Sequence, residues 1–206
     1  MYQLYSIPGT CSTGIHVLLN KLGVPFDVIY RDDIDNYQQL VPTNQVPALQ
    51  TADSLLTEGA AIALHLLATH GASALTEDRE FLRWLMFNYA TLHPAYGKLF
   101  TVARTLPDGK SREWLLQALA NRVAELWQIV DRHLQGREYM HGASATVIDY
   151  LLAVYARWGH VFPDLQIPLG ENVLALVNRV SELPEFQQAF AREGISYQIP
   201  DNALAA

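Results

Sequence analysis

The chain has 206 residues, 14 Lys and Arg against 21 Asp and Glu, a formal net charge of −7 and a hydrophobic share of 50%. That much apolar material excludes wholesale disorder, and the acidic balance argues against nucleic acid as a partner, because neutralising phosphates takes a basic face. The single cysteine excludes an intrachain disulfide scaffold.

Met1 to Tyr5 carries no Lys or Arg and leads into no apolar run. The chain is therefore expected to open on a strand, Tyr2–Ser6, and not on a signal peptide. Pro8 and Gly9 break that strand. A helix is expected from Cys11 or Ser12, with Ile15, Leu18, Leu19 and Leu22 on one face and Gly23 closing it. Phe26–Tyr30 follows as a strand, completing a right-handed βαβ unit with parallel strands. Arg31 to Leu40 is polar and suggests a short or irregular helix. Pro47–Gln50 and Ser54–Thr57 read as a hairpin, and Glu58 to His70 as a helix. The order βαβαββα describes an α/β layer on a small mixed sheet.

After Gly71 the strand signals stop. Ala72 to Thr76 reads as a linker. A long helix from Glu77 should bend at Pro94. A second long helix opens at Ser111 and ends at Gly136. Further helices are expected at about Thr146–His160, Glu171–Ser181 and Pro184–Arg192, before an alanine-rich tail. Glu58 and Asp149 interrupt the most apolar stretches, so none reaches the roughly 18 residues of a membrane span. The expectation is a soluble chain of a reducing compartment, with domains at 1–72 and 80–206 joined by a linker at 73–79.

Five places carry possible chemistry. Cys11 follows a strand-ending Pro-Gly at the start of a helix, where unpaired N–H groups and the dipole lower a thiol pKa. It is either a reactive thiol or a buried structural one. Ser12 and Thr13 are natural caps, Ser12 also a donor to a bound thiolate, and Tyr5 falls near the same mouth. In Asn44-Gln-Val-Pro-Ala-Leu49, a cis Pro47 leaves the Val46 backbone free for an extended peptide, whereas a trans bond makes an ordinary turn. Glu58 and Gly59 open a helix, either as a favourable first turn or as a receptor for an amino-acid head group. His93 precedes Pro94, as a site residue or a packed one. Thr146-Val-Ile-Asp149 is a capping box whose role is folding. GxSxG, GxGxxG, P-loop, CxxC and HxxxH patterns are absent, so no metal site is expected.

Taken together, Tyr5 with Pro8-Gly-Thr-Cys-Ser12, Gln45-Val-Pro-Ala-Leu49, Leu55-Leu-Thr-Glu-Gly-Ala-Ala-Ile62 and His93 within Trp84–Phe100 resemble the cytosolic glutathione S-transferases, above all the bacterial beta class. The resemblance spans nearly the whole chain. It implies a thioredoxin-like N-terminal domain followed by an all-helical domain, and conjugation of the glutathione thiolate to small hydrophobic electrophiles. Mixed-disulfide activity through Cys11 is a further implication. The alternatives are a glutathione-dependent disulfide reductase and a non-catalytic binding or assembly protein. By the resemblance, Cys11, His93 and Tyr5 are catalytic. Cys11, Ser12, Gln45, Val46, Pro47, Glu58, Gly59 and His93 hold glutathione, the co-substrate, with Pro47 cis. Tyr96 and Trp158 line the acceptor pocket. A cytoplasmic homodimer without metal, nucleic acid or membrane is implied. The chain departs from the beta-class pattern at Val41-Pro-Thr-Asn-Gln-Val-Pro47, at Met86, and at Thr91 and Pro94. The segment after the second strand is shorter and has no counterpart of the family's lysine for the glycine carboxylate; Arg31 is only a weak substitute.

Overall fold

A computed structural model describes residues 1–204; the last two residues of the alanine-rich tail lie outside them. Strand β1 (Tyr2–Ser6), helix α1 (Cys11–Leu22) and strand β2 (Phe26–Tyr30) form the expected unit, with β1 and β2 parallel and Tyr2 opposite Phe26. Thr10 caps α1 through its side chain, and Gly23, at φ 63°, closes the helix in the left-handed conformation that suits glycine. Arg31–Asp33 and Tyr37–Leu40 (α2) are the short, irregular helices expected. Strands β3 (Ala48–Gln50) and β4 (Leu55–Thr57) make the hairpin, and the sheet runs β2-β1-β3-β4 with β3 antiparallel to β1.

Helix α3 (Gly59–Thr69) completes the thioredoxin-like layer. The segment read as a linker is not extended: Ser73–Glu77 forms a short helix, α4, because Leu75 N–H and Asp78 N–H find carbonyls three residues back. Asp78 then caps α5 (Arg79–Phe87), accepting the N–H groups of Glu80 and Phe81. The bend foreseen at Pro94 takes the form of a wider turn just before it. Asn88–Leu92 is π-helical, and His93 N–H reaches back five residues to Asn88 O before α6 (His93–Thr105) resumes the ordinary pitch. Pro94 cannot donate and its ring crowds the preceding turn, so the wider turn accommodates it.

Helices α7 (Lys110–His133), α8 (Val147–Arg157), α9 (Glu171–Ser181) and α10 (Pro184–Arg192) complete the all-helical part. Every residue of α8 from Val147 to Ala156 is buried, so it forms the axis of the helical domain. Its start is the predicted capping box. Asp149 Oδ2 accepts the Thr146 N–H at 2.8 Å and Oδ1 accepts the Met140 N–H at 2.8 Å. Gly14 is where α1 packs on α8; a Cβ there would overlap the Leu151 side chain. One continuous core therefore includes Leu4 and Ile15 from the sheet layer and Tyr150 and Val154 from the helices. No helix among the described residues is long and apolar enough to cross a membrane.

Candidate active site

An open cavity of about 470 Å³ lies where the N-termini of α1 and α3 converge. Cys11, Gln45, Val46, Pro47, Glu58, Gly59 and His93 all line it, joined by Thr10, Arg31 and Tyr89. The Val46–Pro47 peptide bond is cis. Val46 turns its carbonyl towards Cys11, whose Sγ donates to it at 3.5 Å. Its N–H has no partner among the described residues, so an extended ligand can pair with it. Glu58 caps α3 at φ 67° and ψ 109°, a conformation that non-glycine residues rarely adopt. Its carboxylate makes no capping bond to its own helix. Among the described residues no group of three or more His, Cys, Asp or Glu is placed to hold a metal ion.

The thiol expectation from sequence is corrected here. The backbone N–H groups of Cys11 and Ser12 do pull the Cys11 pKa down, but burial outweighs them and pushes it from 9.0 up to about 12. Cys11 is only 7% exposed. In the free protein it is a neutral thiol that donates a hydrogen bond. Alkylation by iodoacetamide at pH 7.5, followed by intact mass, should therefore be far slower than that of free cysteine; labelling at the free-thiol rate would contradict the assignment. The sign of the linkage follows. A pKa raised on folding means the native state holds its proton more tightly, so the stability tied to it is full below pH 9 and drains away as pH climbs towards 12. Burial acts on His93 in the opposite sense, holding its imidazole below the ordinary value and hence neutral at neutral pH.

Residues 4–74 match the family model described as "Glutathione S-transferase, N-terminal domain". The chain is 31% identical over 168 residues to Glutathione S-transferase GST-4.5 of Xanthomonas campestris, an alignment covering 77% of this chain and 82% of that protein. This chain belongs to the glutathione S-transferase family. The glutathione S-transferase structure from Xylella fastidiosa superposes with a TM-score of 0.84 at 28% identity, covering 95% of this chain and all of the other. The beta-class structure from Sphingomonas chungbukensis shares the fold at a TM-score of 0.76 and 24% identity, covering 94% of this chain and 100% of that one.

Two residues expected at the site of this transferase-family chain, Tyr5 and Tyr96, lie elsewhere, as does the hydroxyl of Ser12, whose N–H does reach the Cys11 sulfur. Tyr5 points to the opposite face of the sheet and packs on Tyr37 at a centroid distance of 5.8 Å, because successive residues of a strand alternate faces. The Ser12 side chain is fully buried. Its hydroxyl bonds Ser6 Oγ at 2.7 Å and Thr10 Oγ1 at 2.8 Å, so it stabilises the turn into α1 and not a ligand. Tyr96 is also fully buried, its hydroxyl accepting the Trp127 indole N–H at 2.9 Å. It sits behind Trp158 at 5.4 Å and lines neither this cavity nor the one beside it. Trp158 does line one: a second cavity of about 500 Å³ adjoins the first, and the two share Thr10, His93 and Arg104. Met86 and Thr91 line neither.

Tyr89 was not foreseen. The π-helical turn swings it over the start of α3, where a Cβ on Gly59 would overlap its ring and hydroxyl. Glycine after the acid is thus the counterpart of this tyrosine. The Tyr89 hydroxyl is buried and has no partner among the described residues. Pro94 marks a bend here, but nothing in the sequence shows that the bend is a π-helical turn that delivers Tyr89. Phe100 and Arg104 had a legible signal. With Gly97 they stand at steps of four, seven and eleven from His93, which is one face of α6.

Proposed function

We propose that the chain is a glutathione transferase that binds glutathione in the first cavity and conjugates its sulfur to a small electrophile seated in the second. The observation that supports this most is the convergence of Cys11, Val46, Glu58, Gly59 and His93 on one cavity. In this reading the Val46 backbone pairs with the cysteinyl part of the tripeptide. The Glu58 carboxylate receives the γ-glutamyl ammonium, and the α3 N-terminus with Gly59 receives its carboxylate. Gln45 and Pro47 shape the floor. Two cations line this cavity for the far carboxylate, Arg104 and Arg31, the latter already paired with Asp32 at 2.7 Å.

The bound sulfur sits near the amino end of α1 in open, solvated space, where dipole and N–H groups favour thiolate without the burial that raises Cys11. The Cys11 thiol is the donor that steadies that thiolate. The neutral imidazole of His93 is placed to accept the proton it loses. A thiol pushed up to about 12 is a poor nucleophile at neutral pH. Conjugation therefore ranks above disulfide exchange through Cys11, and the expected working form is a cytoplasmic homodimer.

The test combines binding and turnover. Reduced glutathione at a hundredfold excess over Kd should stabilise the native state by about 2.7 kcal/mol, read as a rise in thermal midpoint. Absence of any shift at millimolar glutathione would instead support the non-catalytic reading. Cys11→Ala should keep the binding shift and still conjugate a chloronitroarene, with kcat reduced roughly tenfold by the lost donor. Abolished conjugation together with retained binding would make Cys11 the nucleophile and favour the disulfide reading.

A further inference from the structure

The second cavity has a polarity that a general apolar pocket lacks. Trp158 and Phe100 pack edge to face, 5.7 Å between ring centroids, and form one continuous aromatic wall of it. Arg104 and Arg157 both line it, and no aspartate or glutamate does. In a chain of net charge −7, two guanidinium groups facing one cavity without a carboxylate is an unusual concentration of positive charge. Neither arginine forms an ion pair with a carboxylate among the described residues, although Asp201 lines a neighbouring cavity that Arg157 also borders. Arg104 spends only its Nε–H, on Phe100 O at 3.2 Å. Arg157 lies over Gly9 at the approach to α1, where a Cβ would come within 2.8 Å of Nη1. Gly9, at φ 72°, leaves that room.

The Trp158 indole N–H is already committed to Gly9 O at 2.8 Å. That bond fixes the aromatic wall against the loop that starts α1 and leaves the two arginines as the cavity's guanidinium donors, beside the rings of His93 and His160. Guanidinium groups bind planar carboxylates through paired charge-assisted bonds, and aromatic walls bind flat rings.

We infer that the acceptor of this transferase is an anionic aromatic electrophile: a flat ring held by Trp158 and Phe100, with a carboxylate received by Arg104 and Arg157. The inference deepens the conjugation reading and rests on it for the chemistry, while the binding preference stands on the cavity itself. In the step concerned, the glutathione sulfur bonds to the ring carbon that bears a halogen. The carbon–halogen bond breaks, the halide leaves with the electron pair, and the thiol proton, taken up by His93, passes on to solvent. No oxidant or reductant is consumed.

A chloronitrobenzoate and the matching chloronitrobenzamide have nearly the same size and shape and differ in charge at the far end. Corrected for their uncatalysed rates with glutathione, the acid should be favoured about tenfold in kcat/KM, the effect of one or two charge-assisted hydrogen bonds. Arg157→Gln should bring the ratio towards one, as should raised salt. Arg104→Gln should do the same, although that residue also borders the glutathione cavity. A wild-type ratio of one or below, or a ratio the substitutions leave unmoved, overturns the inference.

If neither acceptor turns over while glutathione also fails to stabilise the protein, the conjugation reading falls. Tryptophan quenching by unreactive nitrobenzoate and nitrobenzamide then decides the cavity separately. Saturable binding of the acid, about tenfold tighter than the amide and lost in Arg157→Gln, sustains an anion-selective aromatic pocket; equal affinities or no binding reject it.

Discussion

Replacing Glu193 by alanine is expected to cost the fold about 3–5 kcal/mol, among the largest effects available at a single position. The side chain is fully shielded from solvent and takes three donors. Oε2 accepts the Gly9 N–H at 2.9 Å and the Thr13 hydroxyl at 2.8 Å, and Oε1 accepts from His16 Nδ1 at 2.9 Å. Removing the carboxylate strands all three in a dry interior, beside a His16 Nε2 that already lacks a partner among the described residues. Each stranded buried donor costs about 1–3 kcal/mol, less whatever water enters the space.

Glu193→Gln keeps the shape and one acceptor, and should cost about 1–3 kcal/mol. Urea unfolding followed by tryptophan fluorescence measures both; a loss below about 1 kcal/mol for the alanine variant would show that this cluster is not a structural anchor. The same contacts fix the Gly9–Thr13 segment from which α1 springs. Glutathione should therefore also raise the thermal midpoint of the alanine variant less than that of the parent.

That cluster also marks where sequence reading stops. The βαβ unit was legible because its signals are local: Pro8-Gly9 breaks a strand, Gly23 closes a helix, and Val and Ile crowd Phe26–Tyr30. The capping box at Thr146 and Asp149 was legible for the same reason, and the helices at 171–181 and 184–192 match the periodicity residue for residue. Glu193 meets Gly9 across 184 positions, a pairing without a local pattern. Cys11 shows a subtler gap. Its position at a helix terminus was evident, but how deeply α1 is covered was not, and burial reversed the direction of its pKa shift.

The remaining site differences have physical causes of the same kind. Tyr5 was one residue out of phase with Leu4, and a period of two decides which of them faces α1. For Tyr89, the widened turn at Asn88–Leu92 shifts the helical phase for everything before His93. A steady 3.6-residue count back from α6 therefore misplaces Tyr89. Tyr96 and Trp158 were both expected in the acceptor pocket. Only Trp158 arrives, because the Tyr96 hydroxyl bonds to Trp127 in the core.

Glu58→Gly separates function from stability at one backbone position. Glu58 holds φ 67°, where a side chain pays steric strain of about 1–3 kcal/mol and glycine pays none. Glycine also serves as a helix cap, and the Glu58 side chain makes no cap bond to lose. Against this stands the extra freedom that glycine gives the unfolded chain, worth about 0.4–1 kcal/mol. The unliganded variant should thus be as stable as the parent or up to about 2 kcal/mol more stable.

Its glutathione affinity should fall roughly tenfold to hundredfold, since the carboxylate that would meet the γ-glutamyl ammonium is gone. Thermal midpoints with and without glutathione read both effects in one experiment. The free variant should melt at or above the parent, and added glutathione should move it much less. A strained residue is retained in a fold when its side chain does work that its backbone opposes. If the variant melts lower and still binds glutathione normally, the conformation at Glu58 serves the start of α3 and the ammonium is held by other groups.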